Sequence, residues 1–532
     1  MENKNTIIGK FVAHNRNIFK KRRQSSKRQP LILFELNNLH SAHIAYSYLA
    51  NILSADNDAK IGAYQVKAHR SLWEKILFKI KGMVGHREFG IYKSFGVTRF
   101  FNISISSLQK KKAKKIFYEV VGGLTTKNDI ENLKINGVLI GNLIYDSFLM
   151  ENKKPTIDIA LPEFSEFLLN SLNLFVFWED FISKHDVCAV NVSHCVYNLA
   201  IPLRISLARN IPVFQANATH IYRMNSGNQY AFTDYKHFPK LFAALPESVQ
   251  LAGINEAKKR INRRFEGEVG VDMSYSTKSA YGPNRHEKLV QDSSRKKILI
   301  ATHCFFDSPH CYGGSIFPDH YEWIDFLGNI SEETDYDWYI KTHPDLRIGN
   351  MEIIDSFLGK YPKFKLLPAN VSHHQIISEG INLALTVHGT IGFEYAALGV
   401  PVINASQNNP HIAYDFNLHV KDIVEYRQIL LDLDQLELSI DKQQVYEYYF
   451  MRFIFNTSNL FFNDHDKMLD EIGGYGSQFT STVYEKWLDE WEEEKHINIV
   501  SAIKRFSKSN DFRMDYTHFN REPSLDFEQN LL

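Results

Sequence analysis

Short apolar runs alternate along the chain with longer segments whose apolar residues recur every three or four positions. The runs predict buried strands at residues 30–36, 61–66, 99–103, 187–192, 211–215, 297–302, 337–341, 363–367, 383–387 and 400–404. The intervening segments predict helices, the longest at residues 162–184. Regular alternation of strand and helix is typical of a parallel sheet covered by helices, so the sequence predicts an α/β fold.

A polar stretch divides this alternation into two series. Between residues 265 and 296, glycine, serine, tyrosine and charged residues replace the apolar periodicity. A chain of 532 residues suits two large domains with additions better than one domain. The predicted organisation is a basic tail (1–29), an N-terminal α/β domain (30–264), a connection (265–296), a C-terminal α/β domain (297–440), C-terminal helices (441–508) and a polar tail (509–532).

Composition narrows the class of protein. The 61 basic and 61 acidic residues balance, which gives no indication of a nucleic-acid partner. The four cysteines form no CxxC pair and are too few for a disulfide-stapled secreted protein, so a reducing cytoplasmic compartment is expected. The most apolar window, residues 167–178, is too short to span a bilayer.

The N-terminal region carries a dense basic cluster. Its members are Lys20, Lys21, Arg22, Arg23, Lys27 and Arg28. Such a cluster is either a solvated tail or a peripheral contact with the anionic inner face of the cytoplasmic membrane, where each basic residue contributes about 1 kcal/mol.

The segment 383–406 is the most informative in the chain. A short apolar strand enters the tight turn His388-Gly389-Thr390, and a helix of residues 391–398 follows and ends at Gly399. The unpaired N–H groups and the dipole of such a helix start attract anions. No lysine follows in a GxxxxGK[ST] pattern, so this is not a P-loop. An ordinary βαβ crossover has the same pattern, and the neighbouring strands therefore decide its interpretation.

Two other predicted strands in the C-terminal half end in polar residues. The strand at 297–302 leads to His303 and Asp307, and the strand at 337–341 ends in Lys341 and His343. Because ligands of open α/β sheets bind at the carboxyl ends of strands, these groups and the His388 turn indicate a phosphate-binding crevice. Several of these side chains are also possible metal ligands: His303, Asp307, His310, His343 and His388. Their spacing matches no fixed metal motif, so neither a metal nor another cofactor is predicted.

The N-terminal half contains two weaker candidates for functional residues. Asp146 ends an apolar run that contains small and polar residues, and His194 follows the strand at 187–192. Both positions resemble strand ends, although a lone histidine there is often structural.

Two α/β domains with polar strand ends suggest a GT-B glycosyltransferase, and particular segments make the resemblance more specific. The segments YDWYIKTHPD (336–345) and LTVHGTIGFEYAALGVPVINAS (385–406) resemble the donor-binding half of bacterial capsule and lipopolysaccharide glycosyltransferases, in particular the Kdo transferase group. INGVLIGNLIYDSFL (135–149) and VSHCVYNLAIPLRISLARNIPVF (192–214) resemble segments of related surface-polysaccharide proteins, although Asn142 stands where aspartate is expected. The likeness covers residues 135–215 and 297–417.

The resemblance implies a fold and a reaction. The fold would have two Rossmann-like domains facing a cleft, with C-terminal helices packing back. The donor would be Kdo or a related ulosonic acid activated by CMP, and the acceptor a growing lipid-linked or lipid A-linked glycan. Lys341, His343 and the N–H groups of Gly389 and Thr390 would neutralise the leaving phosphate, and Glu394 would bind ribose hydroxyls. Asp146 is the candidate carboxylate nucleophile and His194 the candidate base.

Three alternatives use the same fold. A UDP-sugar, GDP-sugar or CDP-glycerol donor would fit the same crevice. A UDP-GlcNAc-type epimerase would need no acceptor. A non-catalytic assembly subunit of the polysaccharide machinery would need neither a donor nor an acceptor. In such a subunit there would be no reason for Lys341, His343, His388 and Glu394 to occur together.

Overall fold

The computed structural model describes residues 6–19, 29–66, 72–85, 87–230, 234–273, 276–283, 286–343, 347–436, 438–455 and 459–520. The chain divides into two compact units. The first unit comprises Met1–Ile144, Ala160–Ala231 and Thr457–Leu532. The second unit comprises Tyr145–Ile159 and Phe232–Asn456. The basic cluster predicted at residues 20–28 lies outside the described residues, as does the second half of the polar tail, residues 521–532.

The first unit is built on a six-stranded sheet in the order β3-β2-β1-β6-β7-β8. All neighbours are parallel except β7 and β8. A separate hairpin is formed by β4 and β5. The strands are β1 (Leu31–Glu35), β2 (Lys60–Tyr64), β3 (Val97–Phe101), β4 (Lys134–Ile135), β5 (Val138–Leu139), β6 (Val187–Val192), β7 (Val213–Ala216) and β8 (Ile221–Met224).

The second unit has a parallel six-stranded sheet in the order β11-β10-β9-β12-β13-β14. Its strands are β9 (Lys297–Ala301), β10 (Asp337–Lys341), β11 (Phe364–Leu366), β12 (Leu383–Thr386), β13 (Val402–Asn404) and β14 (Leu418–His419). Lys341 pairs with Ala301, and Leu385 pairs with Ile300. The carboxyl ends of β9, β10 and β12 are therefore level at one edge of this sheet.

The two sheets share one topology. Numbered within its own sheet, each has the strand order 3-2-1-4-5-6 of a Rossmann fold. The predicted α/β architecture with two Rossmann-like halves is confirmed, and the fold is GT-B-like. The central strands are buried on both faces, which explains their continuous apolar runs.

Helices connect the strands in both units. The N-terminal half contains α1 (Ile7–Ile18), α2 (His40–Asn57), α3 (Leu72–Val84), α4 (Glu88–Ser94), α5 (Ser107–Val120), α6 (Lys127–Glu131), α7 (Gly141–Asn152), α8 (Pro162–Lys184), α9 (Ile201–Ala208), α10 (Phe238–Ala243) and α11 (Glu247–Phe265). The C-terminal half contains α12 (His320–Glu333), α13 (Asn350–Lys360), α14 (His373–Ser378), α15 (Ile391–Leu398), α16 (Ile423–Leu431), α17 (Lys442–Tyr449), α18 (His465–Glu471), α19 (Thr482–Asp489) and α20 (Glu493–Lys508). A π-helical segment, Phe450–Phe455, follows α17.

The last three helices complete the core of the first unit. Trp487 of α19 and Ile503 of α20 are buried with residues of β1 and α2. The ring of Tyr48 on α2 meets Trp487 edge-on, with 5.9 Å between centroids. The prediction that C-terminal helices pack back is therefore confirmed for α18–α20, whereas α17 belongs to the second unit.

The N-terminus differs from the predicted tail. Residues 7–18 form α1, whose buried Phe11 stacks on Tyr484 at 4.2 Å between ring centroids. Apolar residues recur along this segment at helical spacing, and burial of that face against α19 outweighs the basic composition that suggested a tail. No helix among the described residues has the length and apolar content needed to cross a membrane.

Candidate functional site

A cavity of about 150 Å³ lies at the carboxyl edge of the second unit's sheet. We call it the strand-end cavity. It brings together six of the residues that the sequence predicted for nucleotide-sugar binding: His303, Lys341, His343, Gly389, Thr390 and Glu394. Residues before β9 complete the wall, among them Arg264, Lys278, Ser279 and Tyr281. A binding pocket at this edge is where an open α/β sheet places its ligands.

The start of α15 forms one side of the strand-end cavity. The Gly389 N–H donates to Thr386 Oγ1 at 3.2 Å. Among the described residues, the N–H groups of Thr390 and Ile391 donate to no protein acceptor. A Cβ on Gly389 would lie 2.8 Å from Thr386 Oγ1, so this turn needs glycine. Two unpaired amides at a helix start suit one anionic oxygen.

Lys341 supplies a positive charge at the end of β10. Its side chain is buried, and Nζ donates to the Ala369 carbonyl oxygen at 3.1 Å. Burial lowers the pKa of Lys341 to about 8, with Glu394 acting in the opposite direction. The ammonium is therefore retained at neutral pH but is close to titration. His343, two residues on, is exposed.

Glu394 has protein partners that the sequence did not reveal. Its Oε1 accepts hydrogen bonds from Nε of Arg264, at 3.0 Å, and from Nη2 of the same guanidinium. Its Oε2 accepts from the Tyr281 hydroxyl at 2.9 Å. All three side chains are buried or nearly so. A ribose hydroxyl at Glu394 would share a carboxylate that already anchors α11 to α15.

Three histidines meet beside the strand-end cavity. The ring of His303 lies 4.6 Å from that of His320 and 4.4 Å from that of His388, measured between centroids. Burial lowers the pKa of all three, that of His388 to about 4. They are therefore neutral imidazoles at physiological pH. His320 begins α12 and was not recognised in the sequence, because it follows an N-cap aspartate at an ordinary helix start.

These three side chains are the described residues that could hold a metal ion. One ring nitrogen of each lies within 4.8 Å of the others. In a tetrahedral zinc site, whose nitrogens lie about 2.0–2.1 Å from the metal, two such nitrogens are about 3.3 Å apart. The same group lines a second cavity, the histidine cavity, together with Cys304, Asp307, Ser308, Cys311 and Tyr312. The predicted Asp307 and His388 are found in this cavity.

Asp146 forms a buried pair with a histidine of the second unit. Its Oδ1 lies 2.5 Å from Nδ1 of His310, and both side chains are buried. Burial raises the pKa of Asp146, and His310 opposes this shift. The sequence placed Asp146 in the N-terminal domain, whereas residues 145–159 group with the second unit. The physical reason is the adjacent residue of α7, Tyr145, whose hydroxyl donates to Asp319 at 2.6 Å.

His194 belongs to the first unit, where it is exposed at the end of β6. The adjacent Ser193 donates its N–H to Oε2 of Glu35 at 2.8 Å and its hydroxyl to Oε1. Burial raises the pKa of Glu35, at the end of β1, to about 7. A carboxyl group that titrates near neutrality is suited to proton transfer. The sequence signal for Glu35 was a charged residue at the end of an otherwise apolar strand.

Comparison with known proteins gives likeness of fold only. No protein-family profile and no curated protein matches the sequence. Among solved structures, UDP-GlcNAc 2-epimerase from Neisseria meningitidis bound to UDP-GlcNAc matches 78% of this chain and 97% of its own, with 11% identity and a TM-score of 0.22. UDP-GlcNAc 2-epimerase from Methanocaldococcus jannaschii, in complex with UDP-GlcNAc and UDP, covers 78% and 97% at 12% identity and TM-score 0.24. The glycotransferase of kitacinnamycin covers 80% and 95% at 9% identity and TM-score 0.21. At these values the likeness carries no argument about activity, which has to come from the residues.

Proposed function

We propose that the second unit binds the nucleotide of an activated sugar in the strand-end cavity and that the protein is a glycosyltransferase. One observation carries this proposal: a buried lysine and two helix amides that bond to no described acceptor face one cavity at the carboxyl edge of a Rossmann-like sheet. Lys341 and the N–H groups of Thr390 and Ile391 would hold the phosphate, whereas the Gly389 N–H, predicted for this role, already donates to Thr386 Oγ1.

The donor we favour is CMP-activated Kdo or a related ulosonic acid. Arg264 pairs with Glu394. Lys341 is the buried cation of the cavity wall for which no described carboxylate lies within ion-pair distance. One buried cation and one helix start suit a single phosphate better than a diphosphate. CMP-sugars carry a single phosphate, and the resemblance of residues 336–345 and 385–406 points to the same donor. The acceptor would be a growing capsule or lipopolysaccharide glycan on a lipid carrier.

The proposed chemistry gives acidic or basic side chains three roles: nucleophile, base and hydrogen-bond partner of the nucleotide. Asp146, held by His310, would be the carboxylate nucleophile of a retaining reaction. His194 or Glu35 of the first unit would accept the acceptor's hydroxyl proton. His303 and His388, which are neutral, would contribute hydrogen bonds rather than charge to the departing nucleotide.

A nucleotide panel tests the binding site. Thermal unfolding of the purified protein would be followed with CMP, CDP, UMP, UDP and GDP at equal concentrations. CMP is expected to raise the melting temperature most, because a ligand at a hundredfold excess over its Kd adds about 2.7 kcal/mol of stability. A larger shift with UDP would favour a UDP-sugar transferase or an epimerase. The absence of any shift would refute nucleotide binding and favour a non-catalytic assembly subunit.

Substitution of the proposed nucleophile tests the reaction. Asp146→Asn keeps the size of the side chain but removes the charge, and is expected to lower sugar transfer about a thousandfold or more while CMP binding persists. Transfer would be measured with CMP-Kdo and a lipid-linked acceptor, and conversion of UDP-GlcNAc without any acceptor would reveal an epimerase. If Asp146→Asn transferred sugar at the normal rate, Asp146 would not be the nucleophile.

A further inference from the structure

Helix α3 of the first unit exposes an unusual apolar face. Six large apolar side chains of this 13-residue helix are between 46% and 80% exposed. They are Trp73, Ile76, Leu77, Ile80, Met83 and Val84. At about 100° per residue, they project within an arc of about 120°. We call this surface the α3 face.

The opposite side of α3 is fixed against the protein. Phe78 is buried, and its ring meets that of Phe89 at 5.3 Å between centroids. Gly82 is also buried, and a Cβ there would lie 3.2 Å from the ring of Phe100. The helix therefore has one apolar side for the core and a second one that the described residues of the first unit leave uncovered. An ordinary surface helix would carry polar residues there.

Lysines border the α3 face on both sides. Helical geometry places Lys79 along one edge and Lys81 along the other, and Lys75 lies next to Lys79. Glu74 is the single acidic residue of the helix. Apolar side chains flanked by lysines, whose ammonium groups can reach anionic headgroups, are the features of a helix that lies in a membrane interface. At about 20 Å long, α3 is too short to cross a bilayer.

We propose that the α3 face inserts into the surface of an anionic lipid bilayer and holds the first unit there. A protein groove could also cover an apolar helix, but lysines on both edges match a uniformly anionic plane. This contact involves first-unit residues alone and is independent of nucleotide binding in the second unit. It also differs from the contact predicted for the basic residues 20–28.

Tryptophan quenching by brominated lipids tests the contact directly. Trp73 is 80% exposed, whereas Trp178, Trp323, Trp338 and Trp487 are buried and Trp491 is partly buried. With vesicles of phosphatidylcholine and phosphatidylglycerol at 3:1, brominated in the acyl chains, the full-length protein is expected to lose part of its fluorescence. Trp73→Phe should abolish that loss while vesicle binding persists.

Variants of the face itself complete the test. Ile76→Ser with Ile80→Ser is expected to weaken vesicle binding by about a hundredfold, about tenfold for each side chain, without changing the melting temperature. Lys79→Gln with Lys81→Gln should weaken binding to anionic vesicles about fivefold per lysine and reduce its sensitivity to salt. Val424→Ser, at a 74% exposed position of α16, is the matched control and should bind normally.

Three results would overturn the proposal. The first is no quenching in the unaltered protein. The second is vesicle binding that survives the double isoleucine substitution, which would assign the contact to another segment such as residues 20–28. The third is concentration-dependent dimerisation that the isoleucine substitutions abolish, which would make the α3 face a contact between two copies of the chain.

Discussion

Replacing Arg264 by alanine is expected to lower the free energy of unfolding by about 3–5 kcal/mol, because it leaves the buried Glu394 carboxylate without its charged partner. The side chains of this pair are 15% and 5% exposed, and Arg264 bonds the carboxylate through two nitrogens. Chemical denaturation followed by circular dichroism would measure the loss. Adding Glu394→Gln to the variant should recover part of it by removing the unpaired charge.

The neighbouring arginine provides a matched control. Arg263 pairs with Glu268 on the surface, where both side chains are 46% exposed. Arg263→Ala is therefore expected to cost less than about 1 kcal/mol. Equal losses for the two alanine variants would show that burial of the Arg264–Glu394 pair is not what makes it important.

Replacing Lys341 by methionine is expected to weaken nucleotide binding and to stabilise the fold. The loss of a charge-assisted hydrogen bond to phosphate, about 1.5–3 kcal/mol, corresponds to about a 10–150-fold rise in Kd for CMP. At pH 7 the same change removes a buried ammonium and should add about 1–3 kcal/mol to the free energy of unfolding. Calorimetric titration and denaturation would measure the two effects. A variant that binds CMP normally would exclude Lys341 from the phosphate site.

The depressed pKa of Lys341 gives the unaltered protein a characteristic pH dependence that Lys341→Met should lack. The folded protein keeps the ammonium only below about pH 8, whereas the unfolded chain keeps it to about pH 10.4. Between these values the unfolded state binds more protons, so this group makes stability rise with pH. CMP affinity should instead fall above about pH 8 as the charge is lost. Lys341→Met should show neither trend, and Lys341→Arg should retain affinity at pH 9.

The sequence predicted the elements of the sheets well, because their strands are buried on both faces and read as continuous apolar runs. Helix α8 and strands β6 and β10 have the bounds that the pattern predicted. The division of the chain was harder to predict. Residues 145–159 and α11 join the second unit through contacts that are distant in sequence, such as that of Tyr145 with Asp319. No local pattern encodes such contacts.

In the candidate site too, local patterns were predictable and contacts between residues distant in sequence were not. Lys341, His343 and the His388 turn were predictable, since a polar residue after an apolar run marks a strand end. Arg264 was not, because it lies in a basic helix that resembles a solvated surface and its partner Glu394 is 130 residues away. Tyr281 was not predictable either, because it lies in the polar connection and its partner Glu394 is 113 residues away.

The first unit is completed by the last helices of the chain, and this has a consequence for its biosynthesis. Ribosomes add about 5–20 residues per second, and strands β1–β8 emerge long before α18–α20. Until then Tyr48 of α2 lacks Trp487, and Phe11 of α1 lacks Tyr484. The nascent first unit therefore exposes apolar surface to chaperones while residues 232–456 are synthesised and assemble their own sheet. The first unit, whose strands are synthesised first, therefore completes its core last.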